Sequence, residues 1–183
     1  ILSVGQHTLQ KNTPLIIKSI GELKKTDLDF KMMFVGDGCK RHYLEETAGL
    51  LGVRENVIFT GRISDRHLLN SIFKRADLFL FPSLYDNAPL VVREAAACYT
   101  PSLLIQNSNA AEGVIDNENG YLVSRPCEHE IGKRIYEIFA DEQKLREVGH
   151  RASETICTPW EQVLHGVQSR YKQIINGNTY MHR

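Results

Sequence analysis

The chain has 183 residues, 42% hydrophobic and 24% charged, which is enough for one globular domain with its own core. Lysine plus arginine (22) equals aspartate plus glutamate (22), so no net field recruits nucleic acid or an anionic membrane, and a polyanion must be held by local groups. Cys39, Cys98, Cys127, Cys157 and seven scattered histidines lack metal-ligand spacing, and no apolar run approaches the roughly 20 residues of a membrane span; the expectation is a metal-free, cytoplasmic protein with buried or free thiols.

Short apolar runs then alternate with stretches of helical period, the pattern of a parallel sheet wrapped by helices. The first predicted strand, Ile1 to Gly5, opens without an initiator methionine, as expected of a sequence that starts inside a longer protein. Gly5 and Gln6 follow it, and Lys11 and Asn12 precede a helix predicted over Thr13 to Lys24. A glycine allows close backbone approach, and a lysine near a helix start adds charge to the positive end of the dipole, so this loop is a place for phosphate. Taken alone, these residues fit an ordinary loop with a solvated lysine at least as well.

The next strand, Lys31 to Gly36, ends in Gly36-Asp37-Gly38, a tight turn that is weak evidence by itself, and a helix is predicted over Arg41 to Leu51. A third strand, Val57 to Thr60, leads through Gly61 and Arg62 to a helix over Asp65 to Arg75, and a fourth spans Asp77 to Pro82. Later come a helix over Pro89 to Cys98, a strand over Ser102 to Gln106, a helix over Ala110 to Ile115 and a strand over Tyr121 to Val123. Three helices close the chain, Glu128 to Phe139, Glu142 to Thr155 and Trp160 to Ile175, the last started by Thr158 and Pro159 as N-cap and first turn. Residues 1–175 are thus expected to form one Rossmann-like α/β domain of about six parallel strands flanked by helices, with 176–183 a frayed tail. Ligands of such sheets sit at the carboxyl ends of the strands.

The most informative stretch is Phe81 to Pro101, FPSLYDNAPLVVREAAACYTP. Asp86, in the loop, and Glu94, two turns into the helix, are separated by seven residues, and two carboxylates so placed can face one crevice and accept hydrogen bonds from sugar or ribose hydroxyls. On spacing alone, a helix-capping Asp86 and a solvated Glu94 are the commoner outcome.

Pro82, Ser83, Leu90, Glu94, Ala95, Ala97, Cys98 and Pro101 match a Pro-Ser-x-x-Glu-Gly-Phe-Gly-Leu-x-x-x-Glu-Ala-x-Ala-Cys-Gly-x-Pro frame. Around it, at fitting distances, stand Val4-Gly5 with Lys11, Val35-Gly36-Asp37-Gly38, Val57 to Gly61, Ala76-Asp77, Glu112, Asn119 to Leu122, and Trp160 with Tyr171. With these, the chain from Ile1 to about Ile175 resembles the C-terminal, donor-binding half of retaining GT-B glycosyltransferases of the group called family 4 or glycosyl transferases group 1.

The resemblance implies that Lys11 grips the donor diphosphate and stabilises the leaving nucleotide, that Glu94 holds the ribose hydroxyls, and that Asp86 touches the transferred sugar. These three are the catalytic candidates. Gly5, Gln6, Ala88 and the backbone amides of Leu90 and Val91 would line the donor phosphates and sugar, and Arg62 would lie by the nucleobase, although a solvated Arg62 fits equally well. It further implies a hexosyl transfer from a nucleotide-sugar, a UDP-sugar first and GDP-mannose second, with retention and without cofactor or metal. The acceptor, a polysaccharide, glycolipid or similar glycan, would be held by an N-terminal domain absent from this chain. The fragment alone would bind donor without turnover, and the full-length protein could associate peripherally with a membrane.

Several positions depart from the frame. Gln6 stands where an arginine is usual, Asp86 replaces Glu, Asn87-Ala88-Pro89 replaces Gly-Phe-Gly, Tyr99 replaces a glycine and Ala111 a proline. Pro89 offers no amide donor. These departures describe a divergent branch with an altered sugar pocket, or a domain without activity. A non-catalytic nucleotide-sugar-binding subunit and a nucleotide-sugar epimerase of the same twin-domain plan are the alternative functions.

Overall fold

The structure, a computed structural model, describes residues 1–157 and 160–178. In chain order its elements are β1 (Leu2–Val4), α1 (Thr13–Leu23), β2 (Met32–Val35), α2 (Arg41–Leu50), β3 (Val57–Gly61), α3 (Arg66–Arg75) and β4 (Phe79–Phe81). There follow α4 (Leu90–Ala97), β5 (Ser102–Ile105), β6 (Tyr121–Val123), α5 (Glu128–Phe139), α6 (Glu142–Thr155) and α7 (Trp160–Asn178). The six strands form one sheet in the order β3-β2-β1-β4-β5-β6, and every pairing is parallel. The predicted α/β class and strand count are those observed.

Strand residues alternate between two cores, which is why these runs read as almost continuously apolar. Met32, Phe34, Val57, Leu80, Leu103, Ile105, Tyr121 and Val123 bury on one face with Ile16, Ile17, Ile20 and Leu23 of α1, Leu44 of α2 and Ile131, Ile135 and Ile138 of α5. Leu2, Val35, Phe79, Phe81 and Leu104 bury on the other, against Leu69 and Phe73 of α3 and Val92 and Ala95 of α4. Helix α6 packs closely on the residues that end α4, where a Cβ on Gly149 would lie 2.3 Å from the Tyr99 carbonyl oxygen. Tyr99 itself holds φ 63°, a left-handed backbone that explains why the matching frame has glycine there.

One predicted element is replaced. Instead of a helix over Ala110 to Ile115 there is a single 3-10 turn, Asn109–Ala111, followed by Gly113 at φ 77°. The buried Asn119 side chain accepts from Ile115 N (2.7 Å) and donates to Gly113 O (3.1 Å) and Thr155 Oγ1 (2.9 Å). That side chain satisfies the backbone groups a helix would have used.

Helix α7 is exposed along almost its whole described length, as expected of a helix that leaves the sheet. Leu164, Val167, Tyr171 and Ile174, spaced to share one side of it, are exposed. The predicted cap at Thr158 and Pro159 lies outside the described residues, as do residues 179–183 of the expected tail, whereas 176–178 continue α7. Among the described residues no helix is long and apolar enough to cross a membrane.

Candidate functional site

Strand order reverses direction between β1 and β4, and the loops leaving their carboxyl ends, residues 5–12 and 82–89, diverge to helices on opposite faces of the sheet. Such a switch point opens a crevice at the strand ends. Three hydrogen bonds lace the two loops across it. Asn12 Nδ2 donates to Pro82 O (3.2 Å), Ser83 Oγ donates to Gln10 O (3.2 Å), and Lys11 Nζ pairs with Asp86 Oδ1.

The first of these explains the start of α1. Asn12 is the N-cap residue at φ 55°, yet its side chain makes no cap bond because it is committed to Pro82. Lys11 is therefore held on a left-handed turn just ahead of α1, with its ammonium 5.6 Å from the centre of the Phe81 ring. Asp86 accepts twice, from Lys11 at Oδ1 and from the buried Ser83 hydroxyl at Oδ2. It does not cap α4: Pro89 is the N-cap there and no side chain caps the helix. The amino end of α4, with the exposed Leu90 at its head, thus carries no side-chain cap, and an uncapped helix start leaves backbone amides free to donate.

Glu94 lies further along α4. Its Oε1 accepts from Arg66 Nη2 of α3 at 2.7 Å, so the predicted pair of carboxylates is present but each has its own cation. Sequence reading missed Arg66, for nothing in the local pattern connects the first residue of α3 with α4. It also assigned no role to Ser83, whose position in the frame was the available signal.

A cleft of about 630 Å³ opens at the carboxyl ends of β1 to β3 and is lined by Gly5, Gln6, Gly36, Asp37, Gly38 and Arg62. Its floor depends on glycine, since a Cβ on Gly36 would lie 1.9 Å from the Gly5 carbonyl oxygen and one on Gly38 2.6 Å from the His7 carbonyl oxygen. His7 N donates to Asp37 O and Lys40 N donates to His7 O, both 2.9 Å, and this zips the two glycine loops together. A second cleft of about 250 Å³ includes Ala88, Pro89, Arg93 and Glu112, and Ala88 holds φ 43° at its edge. The structure thus distributes the predicted residues: Gly5, Gln6 and Arg62 at the β1–β3 end, Lys11 and Asp86 paired across the switch point, Ala88 in the loop before α4, and Leu90, Val91 and Glu94 on α4.

Electrostatically the centre is close to neutral. Gln6 is uncharged and exposed, and Lys11, the one lysine or arginine of residues 5–12, is matched by Asp86. His7 is buried beside Phe34 and Phe59 with neither ring nitrogen hydrogen-bonded, and burial holds its pKa below the usual histidine value, with Asp37 and Glu45 opposing and Arg41 assisting. Among the described residues no three His, Cys, Asp or Glu side chains gather as a metal site. Of the four free thiols Cys39 is exposed and the others half-buried, and burial pushes the Cys98 thiol up.

Residues 1–155 match the family model described as Glycosyl transferases group 1. Over 178 aligned residues the chain is 28% identical to the GDP-mannose-dependent alpha-(1-6)-phosphatidylinositol dimannoside mannosyltransferase of Mycobacterium tuberculosis, covering 86% of this chain and 45% of that protein. The fold is similar to the crystal structure of the C-terminal domain of a glycosyl transferase group 1 family protein (LpcC) from Francisella tularensis, with TM-score 0.75 and 20% identity over 84% of this chain and 82% of that one. It is similar also to Alr3699/HepE of Anabaena, solved with UDP and glucose, with TM-score 0.71 and 21% identity over 84% of this chain and 42% of that one. The chain spans less than half the length of the curated relatives it matches.

Proposed function

The chain belongs to the glycosyl transferases group 1 family, and on that premise we propose that it is the donor-binding half of an enzyme that transfers a sugar from a nucleotide-sugar with retention. The observation that carries this is the meeting of Lys11 with Asp86, in the loop that leads into the uncapped amino end of α4, at the switch point between β1 and β4. Lys11 and that helix end supply positive potential where a diphosphate would lie. UDP-sugars come first as donors, since HepE and related structures were solved with UDP, and GDP-mannose second, after the mycobacterial relative.

In this scheme the bond between the anomeric carbon and the diphosphate oxygen breaks, and negative charge grows on that oxygen. Lys11 and the amides of Leu90 and Val91 face the growing charge, and no metal is required. One preorganised donor of this kind typically contributes on the order of a hundredfold to a thousandfold in rate. Glu94 receives the ribose hydroxyls, and Asp86 orders Lys11 and borders the sugar. The acceptor glycan belongs to an N-terminal half outside this sequence, and the apolar side of α7 formed by Leu164, Val167 and Tyr171 would pack toward it.

Lys11→Ala tests the phosphate assignment. It removes a charged hydrogen-bond donor and leaves Asp86 unpaired, so calorimetry with UDP should show a loss of about 1.5 to 3 kcal/mol. Unchanged affinity would place the phosphates elsewhere. The neutral Gln6 and the Lys11–Asp86 pair favour one second reading, a nucleotide-sugar-binding subunit without turnover. Donor transfer or hydrolysis by the full-length protein decides between the two.

A further inference from the structure

We infer that Arg66 is a positioning residue that fixes the Glu94 carboxylate for recognition of the ribose 2′-hydroxyl; this rests on the proposed nucleotide-sugar site. Arg66 is the first residue of α3, immediately after Asp65, whose side chain caps the helix by accepting from His67 N (2.8 Å) and Leu68 N (3.2 Å). A cation at the amino end of a helix opposes the dipole, so helix stability does not account for arginine here. Nor does ion-pair stability. The Arg66 side chain is 69% exposed, and a pair formed by so exposed a guanidinium contributes little to folding.

What the contact does is restrict Glu94. The Glu94 side chain is only 29% exposed, and a glutamate with three rotatable bonds is otherwise free to take other rotamers. Holding Oε1 at 2.7 Å from Arg66 Nη2 selects one rotamer and leaves Oε2, which carries no hydrogen bond from the described residues, as the acceptor. Arg66 also ties α4 to the loop that carries Arg62 and Ile63 at the rim of the larger cleft. The base-side loop and the ribose carboxylate are thereby held in one register.

The test is discrimination between a ribonucleotide and its 2′-deoxy form, because that ratio cancels the general attraction of Arg66 for phosphate, which acts on both alike. UDP and 2′-deoxy-UDP, and likewise GDP and 2′-deoxy-GDP, are titrated by calorimetry into the 183-residue chain and into Arg66→Ala, Arg66→Lys and Glu94→Ala, each checked by thermal melting. For the base that binds, the unsubstituted chain should favour the ribonucleotide by about tenfold to a hundredfold, as expected for a hydrogen bond to a charged group. Glu94→Ala should bring the ratio to about one. Arg66→Ala should lower it at least threefold, and Arg66→Lys, which keeps the charge but not the planar fork, should fall between. A ratio unchanged in Arg66→Ala while Glu94→Ala abolishes it overturns the role of Arg66 and leaves the ribose reading standing. Tighter ribonucleotide binding by Arg66→Ala also overturns it, since Arg66 would then be competing with ribose for Glu94. A ratio unchanged in Glu94→Ala, or no binding of either base, defeats the ribose reading and the inference with it.

Discussion

Asp86→Asn isolates what the central ion pair does to nucleotide affinity. The substitution keeps the shape and a hydrogen-bonding partner for Ser83 but removes the charge that offsets Lys11. A phosphate bound to Lys11 would lie roughly 6 Å from the Asp86 carboxylate, and at an effective dielectric constant of about 20 to 80 each phosphate charge is then repelled by about 0.7 to 3 kcal/mol. The terminal phosphate of UDP carries close to two charges near neutral pH, which doubles that figure. Against it stands the side-chain freedom Lys11 regains without its partner and loses again on binding, up to about 2 kcal/mol. The Phe81 ring beside the ammonium limits this second effect. The net expectation is UDP binding about five- to thirtyfold tighter in Asp86→Asn. The gain should shrink in high salt, and it should be smaller for a UDP-sugar, whose β-phosphate carries one charge fewer. Calorimetry at two salt concentrations measures all three. If Asp86 acted on the sugar alone, UDP affinity would not move. An unchanged or weaker UDP affinity would therefore refute the electrostatic role given to the pair.

His7→Leu should remove two buried ring nitrogens that lack partners and stabilise the fold by about 1 kcal/mol at neutral pH, read as a higher melting temperature. Because the native pKa of His7 is depressed by burial, the unfolded chain binds the proton first on acidification; stability should fall below the ordinary histidine value of 6.5, and His7→Leu should flatten that part of the stability-pH profile. A profile identical to that of the unsubstituted chain would mean His7 is not the group responsible. Gly36→Ala places a Cβ against the Gly5 carbonyl at a backbone φ of 132°, so it should destabilise by more than 2 kcal/mol in urea unfolding. Nucleotide affinity should fall with it, as the two glycine loops separate. An alanine tolerated there without loss would show that the loops are not interlocked.

The alternation of apolar runs and amphipathic stretches located the six strands and seven of the eight predicted helices, because strands buried on two faces and helices with one apolar side leave periods that do not depend on distant partners. The start of α3 was legible because its signal is local: the helix predicted over Asp65 to Arg75 starts from Asp65, its N-cap, whose side chain bonds the amides of His67 and Leu68. The segment Ala110 to Ile115 misled the helical reading for the opposite reason: its fate is set by Asn119 and Thr155, and a helical composition carries no record of a side chain arriving from later in the chain. The candidate site divides in the same way. Lys11, Asp86 and Glu94 could be picked out by residue type, spacing and a family frame, since charge at a strand end is a local property. Their partners could not. Lys11 meets Asp86 across 75 positions and Glu94 meets Arg66 across 28, and only the order β3-β2-β1-β4-β5-β6 brings α3, α4 and the β1–α1 loop to one end of the sheet. Chemical type is written in each residue, whereas the net charge of a pocket depends on which residues share it, and that follows from tertiary packing alone.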